Sequence, residues 1–160
     1  MTTMRETVNT EPVTLESVLA KENLNAAWSQ VKANDGAAGV DGLDVERSLR
    51  RIREDWTKVE AALLAGRYEP EAVRAVTILK PNGGERTLGI PTVLDRLIQQ
   101  AIHQQLSPVW EPDFSEHSYG FRPGRSAHDA VRPAQGFIKA GQRGQLRDQW
   151  QRYLRPCNQP

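Results

Sequence analysis

A chain of 160 residues that is 38% apolar and 26% charged, with a formal net charge of +1, has length for one domain with a modest core and too much apolar content for a disordered tail. It contains no apolar run of the roughly 18 residues a membrane span needs, and the polar stretch from Met1 to Glu11 lacks a signal peptide's apolar core. A single cysteine, Cys157, excludes an internal disulfide and a cysteine-cluster zinc site, and points to a reducing, cytoplasmic setting.

Residues 1–12 read as a flexible lead-in ending at Pro12. Thr14 can cap a helix running to about Asn34, with Asn23, itself a capping type, as a candidate interruption. Leu15, Val18, Leu19, Ala27, Trp28 and Val31 form its apolar side, and both Trp28 and Trp56 are expected in the core. Asp35 to Gly42 follows, with glycines at 36, 39 and 42, an irregular turn expected to need unusual backbone angles. It lacks the Lys-Ser/Thr of a nucleotide P-loop.

Asp44 caps the clearest helix, 44–65. Val45, Leu49, Ile52, Trp56, Val59 and Leu63 fall on one stripe. Glu46–Arg50 and Glu54–Lys58 are favourable pairs on the wet side, and Gly66 stands where a terminal glycine belongs. Between about 73 and 90 the period changes to two. Val76 and Ile78, the turn Pro81-Asn82-Gly83-Gly84, then Leu88 and Ile90 signal a β-hairpin. A loop of Asn82 to Gly84 would set Lys80 opposite Arg86 on one sheet face. Like charges so placed repel, and a polyphosphate bound between them would reverse the sign. The other reading is a pair of cations that keep an edge strand soluble.

Thr92 and Asp95 make a capping-box pair for a helix of about 92–107, with Leu94, Leu97, Ile98, Ala101, Ile102, Leu106 and Val109 inward and Pro108 and Pro112 bracketing its end. Residues 111–125 form a loop where Arg122 and Arg125 stand among Gly120, Pro123 and Gly124, beside Tyr119 and Phe121. Arginines and rings on such a loop suit an RNA strand, and the helix start after Ser126 adds partial positive charge. Equally open is that the rings anchor the loop and the arginines cap carbonyls. The helix at 126–139 meets Pro133 and is expected to be kinked or short. His103, His117 and His128 lack metal-ligand spacing, and Ser115-Glu116-His117 has no oxyanion hole to support acyl chemistry.

Charge is uneven. Residues 1–45 hold three cations against seven carboxylates, net −4, and residues 122–160 hold eight against two, net +6. From Gly141 onward the composition shifts, with five glutamines and four arginines in twenty residues. The basic stretch is either a phosphate-binding surface or a solvated tail.

Residues 23–42, from Asn-Leu-Asn-Ala-Ala-Trp to Gly-Val-Asp-Gly, resemble the N-terminal motif of group II intron reverse transcriptases. The strings Leu79-Lys80-Pro81-Asn82-Gly83-Gly84-Glu85-Arg86 with Leu88 to Arg96, and Ser115 to His128, are similar to that family's first two finger motifs. The resemblance runs from about residue 14 to 142. It implies an α+β fold, the helix-rich fingers subdomain of a right-hand polymerase with the hairpin packed among amphipathic helices, in residues 13–142. It places Lys80 and Arg86 on a nucleoside triphosphate, and Gly36, Gly39, Tyr119, Phe121, Arg122 and Arg125 on RNA. It implies RNA as partner, with primer DNA and a deoxynucleotide in the full-length family, and no membrane. It also implies Mg²⁺ for the full-length family, though this chain shows no cofactor site and no catalytic residue of its own. The aspartate-bearing strand of the family is expected after about 142. Instead residues 143–160 are a basic Gln/Arg-rich tail, so truncation before the palm and no polymerisation by this chain alone are expected. Two further readings are a non-catalytic intron-RNA-binding remnant and a degenerate fragment without a stable fold.

Overall fold

Thr14 opens the first helix by a reciprocal cap. Its hydroxyl accepts from the Ser17 N–H at 3.2 Å and the Ser17 hydroxyl accepts from the Thr14 N–H at 3.2 Å. The computed structural model describes residues 12–141. In it α1 (Leu15–Leu19) and α2 (Lys21–Asn34) are separated at Ala20, whose ψ of 138° leaves the helical region. The break falls three residues before Asn23, the expected position; Asn23 lies inside α2 and is buried. The expected lead-in at 1–12, save Pro12, and the expected basic tail at 143–160 lie outside the described residues.

α3 (Val45–Leu64) begins at Asp44, whose carboxylate accepts from the Arg47 N–H at 2.8 Å. It ends in a Schellman arrangement: the Gly66 N–H donates to Leu63, the Arg67 N–H donates to Ala62, and Gly66 takes a φ of 63°. The expected Glu46–Arg50 and Glu54–Lys58 pairs are not the ones formed; Arg47–Asp44, Arg51–Asp55 and Lys58–Asp55 are. Asp55 has two basic neighbours within a turn and holds both. Such exposed pairs contribute little to stability.

β1 (Arg74–Leu79) and β2 (Glu85–Ile90) pair antiparallel, and α4 (Val93–Trp110) follows. The helix carries Pro108 within it and runs past the expected stop. A proline in the last turn removes only one backbone bond, which the helix tolerates. The chain divides after Trp110 into two units.

In the first unit α1, α2, α3 and α4 share one core of Val18, Ala27, Val31, Val45, Ile52, Val93, Leu97 and Ala101, with Leu24, Trp28, Trp56 and Leu94 packed against it. Fully burying a valine or leucine contributes about 1.5–3 kcal/mol, so this cluster is the main stabilising term. The α3 stripe is buried at Val45 and Ile52 and half exposed toward its C-terminal end. The hairpin does not pack among the helices as expected. Val76 and Ile90 are half-buried and its other strand residues are exposed, Leu79 to 75%. Its alternating pattern is that of a half-buried sheet, but nothing among the described residues covers the apolar face.

The second unit holds a 3₁₀ turn (Glu111–Asp113), a loop, and α5 (Ala127–Lys139). Ser126 and Asp129 form a reciprocal cap on α5. Despite Pro133 the helix keeps its full expected length. The ring falls two turns in, where the missing bond costs roughly 3 kcal/mol in an isolated helix. No residue of α5 is buried, and Val131, Phe137 and Ile138 are exposed.

Candidate nucleic-acid interface

The hairpin closes with a loop of the expected length in a shifted register. The Lys80 N–H donates to the Gly84 carbonyl at 2.9 Å, and the Gly83 N–H donates to the Lys80 carbonyl at 3.1 Å. The loop is therefore Pro81-Asn82-Gly83, one residue earlier than expected. Gly83 and Gly84 take φ of 80° and 92°, which L side chains rarely adopt. Arg86 pairs with Ile78. Lys80 is two residues beyond Ile78, so the pleat puts Lys80 and Arg86 on one face as diagonal neighbours and not directly opposite. Diagonal spacing softens their repulsion and still lets two long side chains converge on one anion. Both are exposed, and neither has an ion-pair partner among the described residues.

The glycine segment serves a different need from the one expected. Of its three glycines only Gly42 has a left-handed φ, 68°. Gly36 and Gly39 are required by space. A Cβ on Gly39 would meet the Thr92 Cα at 2.7 Å and the Thr92 N at 2.8 Å. A Cβ on Gly36 would collide with the Arg96 guanidinium. Arg96 Nη2 donates to the Ala37 carbonyl at 3.0 Å. Gly39 is buried against the start of α4 and has no surface to offer a template strand.

Asp95 ties the chain between α3 and β1 to the same place. Its buried carboxylate accepts from Tyr68 Oη at 2.7 Å, from Thr92 Oγ1 at 2.6 Å and from the Glu71 N–H at 3.3 Å. Burial, and then the hydrogen bond to Asp95, hold the Tyr68 phenol well above its usual range. Asn23 makes a second polar knot. Its amide donates to the Val18 and Ala101 carbonyls at 2.7 and 3.1 Å, and its oxygen accepts from Gln104 and Gln105. The capping pattern at Thr92 marked Asp95 in the sequence; Tyr68 and the partners of Asn23 carried no local signal.

In the second unit Arg122 is a keystone of the loop. Its side chain is 8% exposed and meets Glu111 at 2.7 Å. Its other donors reach the carbonyls of Ser115, Ser118 and Glu111 at 2.8, 3.1 and 3.2 Å. Its guanidinium lies 5.2 Å from the centre of the Phe114 ring. Its donors are thus committed to Glu111 and to carbonyls of its own loop. Glu111, eleven residues upstream, was missed as its counter-ion.

Arg125 donates to the Glu116 carbonyl and lies over the Tyr119 ring at 5.3 Å; both residues are half buried. Phe121 is no anchor. It is fully exposed and holds a φ of 56°, a left-handed conformation that strains a bulky residue. His117 packs edge-on against Phe137 at 5.9 Å. The structure thus brings Lys80 and Arg86 together, turns Gly36 and Gly39 to packing, closes the loop with Arg122, and leaves Phe121 and one side of Arg125 to solvent.

Residues 78–152 match the family model described as reverse transcriptase (RNA-dependent DNA polymerase). The matched span passes residue 142, where departure from the family was expected. The chain is 39% identical over 112 residues to "Protein YkfC" of Escherichia coli (strain K12), covering 70% of this chain and 29% of that protein. It is 38% identical over 107 residues to "Group II intron-encoded protein LtrA" of Lactococcus lactis subsp. cremoris, covering 66% and 18%. Over 38 residues it is 45% identical to "Nuclear intron maturase 2, mitochondrial" of Arabidopsis thaliana, covering 24% and 5%. The chain spans less than a third of the length of these relatives.

Proposed function

The chain is a relative of the reverse transcriptases and maturases that group II introns encode, and from that premise we propose that its described residues supply the grip of template-directed DNA synthesis and not its chemistry. One observation carries the reading: Lys80 and Arg86, both exposed, share a face of a hairpin whose turn contains Gly83 and Gly84. A nucleoside triphosphate or an RNA backbone laid across that face takes a guanidinium and an ammonium at once, and the glycines admit it close to the backbone. Phe121 offers a ring on which a base can stack, and Arg125 adds charge beside it. Arg122 acts through the loop it closes. Intron RNA is the proposed partner, and primer DNA and a deoxynucleotide are proposed to join it when the rest of a polymerase is supplied.

Joining nucleotides through a Mg²⁺ pair needs several converging carboxylates. Among the described residues no three His, Cys, Asp or Glu side chains converge, so these residues do not fit that pair. No described helix is long and apolar enough to cross a membrane.

The test is direct. Incubated with primer, RNA template, deoxynucleotides and Mg²⁺, the full chain is expected to bind the RNA with steep salt dependence and to give no extension. Extension products overturn the proposal, as does an RNA affinity indifferent to salt.

A further inference from the structure

We propose that a cleft between the C-terminal end of α2 and the first half of α4 seats one nucleobase of a bound RNA strand, an inference that rests on the RNA-gripping reading above. The cleft has a volume of about 250 Å³ and is lined by Val31, Asn34, Arg96, Gln99, Gln100 and His103. That is below the roughly 300 Å³ at which drug-sized ligands begin, and ample for a single planar base.

Its chemistry is that of edge recognition. Val31 is buried and gives an apolar floor. Asn34, Gln99 and Gln100 each carry one amide donor group and one acceptor, and none is engaged with a protein group among the described residues. His103 shares its Nε2 with the Ser107 hydroxyl at 3.2 Å, which leaves the other ring nitrogen for a ligand. Arg96 is held on one side by Ala37, and its buried Nε has no acceptor. That Nε is closed to solvent, so the donor left for a ligand's carbonyl oxygen is Nη1, which has no acceptor among the described residues.

A phosphate fits less well. The cleft opens at the negative end of the α2 dipole, which disfavours an anion. A neutral base meets no such penalty. Guanine is expected to bind best, because its O6 suits the guanidinium while its N1–H and amino group meet amide oxygens. Gly36 then bears on RNA indirectly: its missing side chain lets Arg96 take its place in the wall of the cleft.

The experiment titrates the isotopically labelled full chain with GMP, AMP, CMP, UMP and, separately, inorganic phosphate, while the side-chain amide signals of Asn34, Gln99 and Gln100 are followed. GMP is expected to shift all three most strongly and phosphate none. The Gln99→Ala/Gln100→Ala double variant is expected to bind GMP about fivefold to tenfold more weakly at an unchanged melting temperature. Absence of shifts with every nucleotide, or equal shifts with phosphate alone, overturns the inference. A parallel titration with a short single-stranded RNA separates the two claims. Salt-dependent RNA binding that leaves the three amides unmoved sinks the cleft and spares the grip. GMP shifts without any RNA binding sink the grip, and with it the claim that the base belongs to a strand.

Discussion

Replacing Gly39 by alanine tests the packing of the first unit most sharply. The added Cβ would lie 2.7 Å from the Thr92 Cα, 2.8 Å from the Thr92 N and 3.0 Å from the Pro91 carbonyl carbon. Comfortable carbon contacts begin near 3.5 Å, and all three neighbours are backbone at the start of α4. That start is pinned by the Thr92 cap and by the Asp95 bonds to Tyr68 and Glu71. The glycine segment must therefore move by nearly an ångström, carrying the Ala37 carbonyl away from Arg96. Overpacking of this kind costs about 2–3 kcal/mol. At about 4–8 °C per kcal/mol for a domain near 100 residues, melting should fall by about 10–20 °C. Gly36→Ala is the control, since its clash is with the far end of the Arg96 side chain, which can swing aside at about 1 kcal/mol. Thermal melts followed by far-ultraviolet circular dichroism read both variants. A Gly39→Ala protein that melts with the wild type, or a Gly36→Ala protein that is the more damaged, refutes the reasoning.

Asn23→Leu removes the acceptor of the Gln105 amide, one of the two acceptors of the Gln104 amide and the side-chain donor to the Val18 and Ala101 carbonyls, and should destabilise by about 2–3 kcal/mol in denaturant titration; an unchanged midpoint would argue that water satisfies those groups. Arg122→Lys keeps the charge but replaces a planar fork by a point donor that cannot serve Glu111 and three carbonyls together. Chymotryptic cleavage in the 114–121 loop should then quicken by on the order of tenfold, with no change as the contrary result. Hydrogen bonds from the Ser126 side chain and then its backbone hold the Asp129 carboxyl below its ordinary value of 3.8. A lowered value means the cap contributes fully above about that pH and fades as pH falls through the lowered one. The α5 signal should weaken there in the wild type and show no such step in Asp129→Asn; identical profiles would remove the cap from the explanation.

Local signals carried far into this fold. The stripe from Val45 to Leu63, Asp44 before it and Gly66 after it define α3 because periodicity and caps act within a few residues. Thr92, Ser126 and the alternation around the Asn-Gly-Gly turn did the same for α4, α5 and the hairpin. What escaped depends on residues far apart in the chain. Asn23 meets partners 78 to 82 positions away, and Arg122 meets a glutamate eleven positions back across a loop, where no helix or strand period applies. Gly36 and Gly39 were legible as special, but the cause is α4 lying against them and not their own dihedral angles. The hairpin's alternation forecast a covered face, because a sequence shows which face is apolar and not whether anything covers it. For the candidate site, Lys80 and Arg86 were legible as a pair through strand alternation, and their diagonal offset turned on one hydrogen bond at Gly84.

The cationic face of the hairpin is tested most directly by the salt dependence of RNA binding. Affinity of the full chain and of the Lys80→Ala/Arg86→Ala double variant for a single-stranded RNA would be measured over a series of salt concentrations. Both side chains are exposed, so the variant should melt as the wild type does. Each lost phosphate contact should flatten the plot of log affinity against log salt by about 0.7, so the expected slope is shallower by about 1.4, with weaker binding at low salt. Equal slopes and equal affinities for the two proteins would show that Lys80 and Arg86 hold no phosphate.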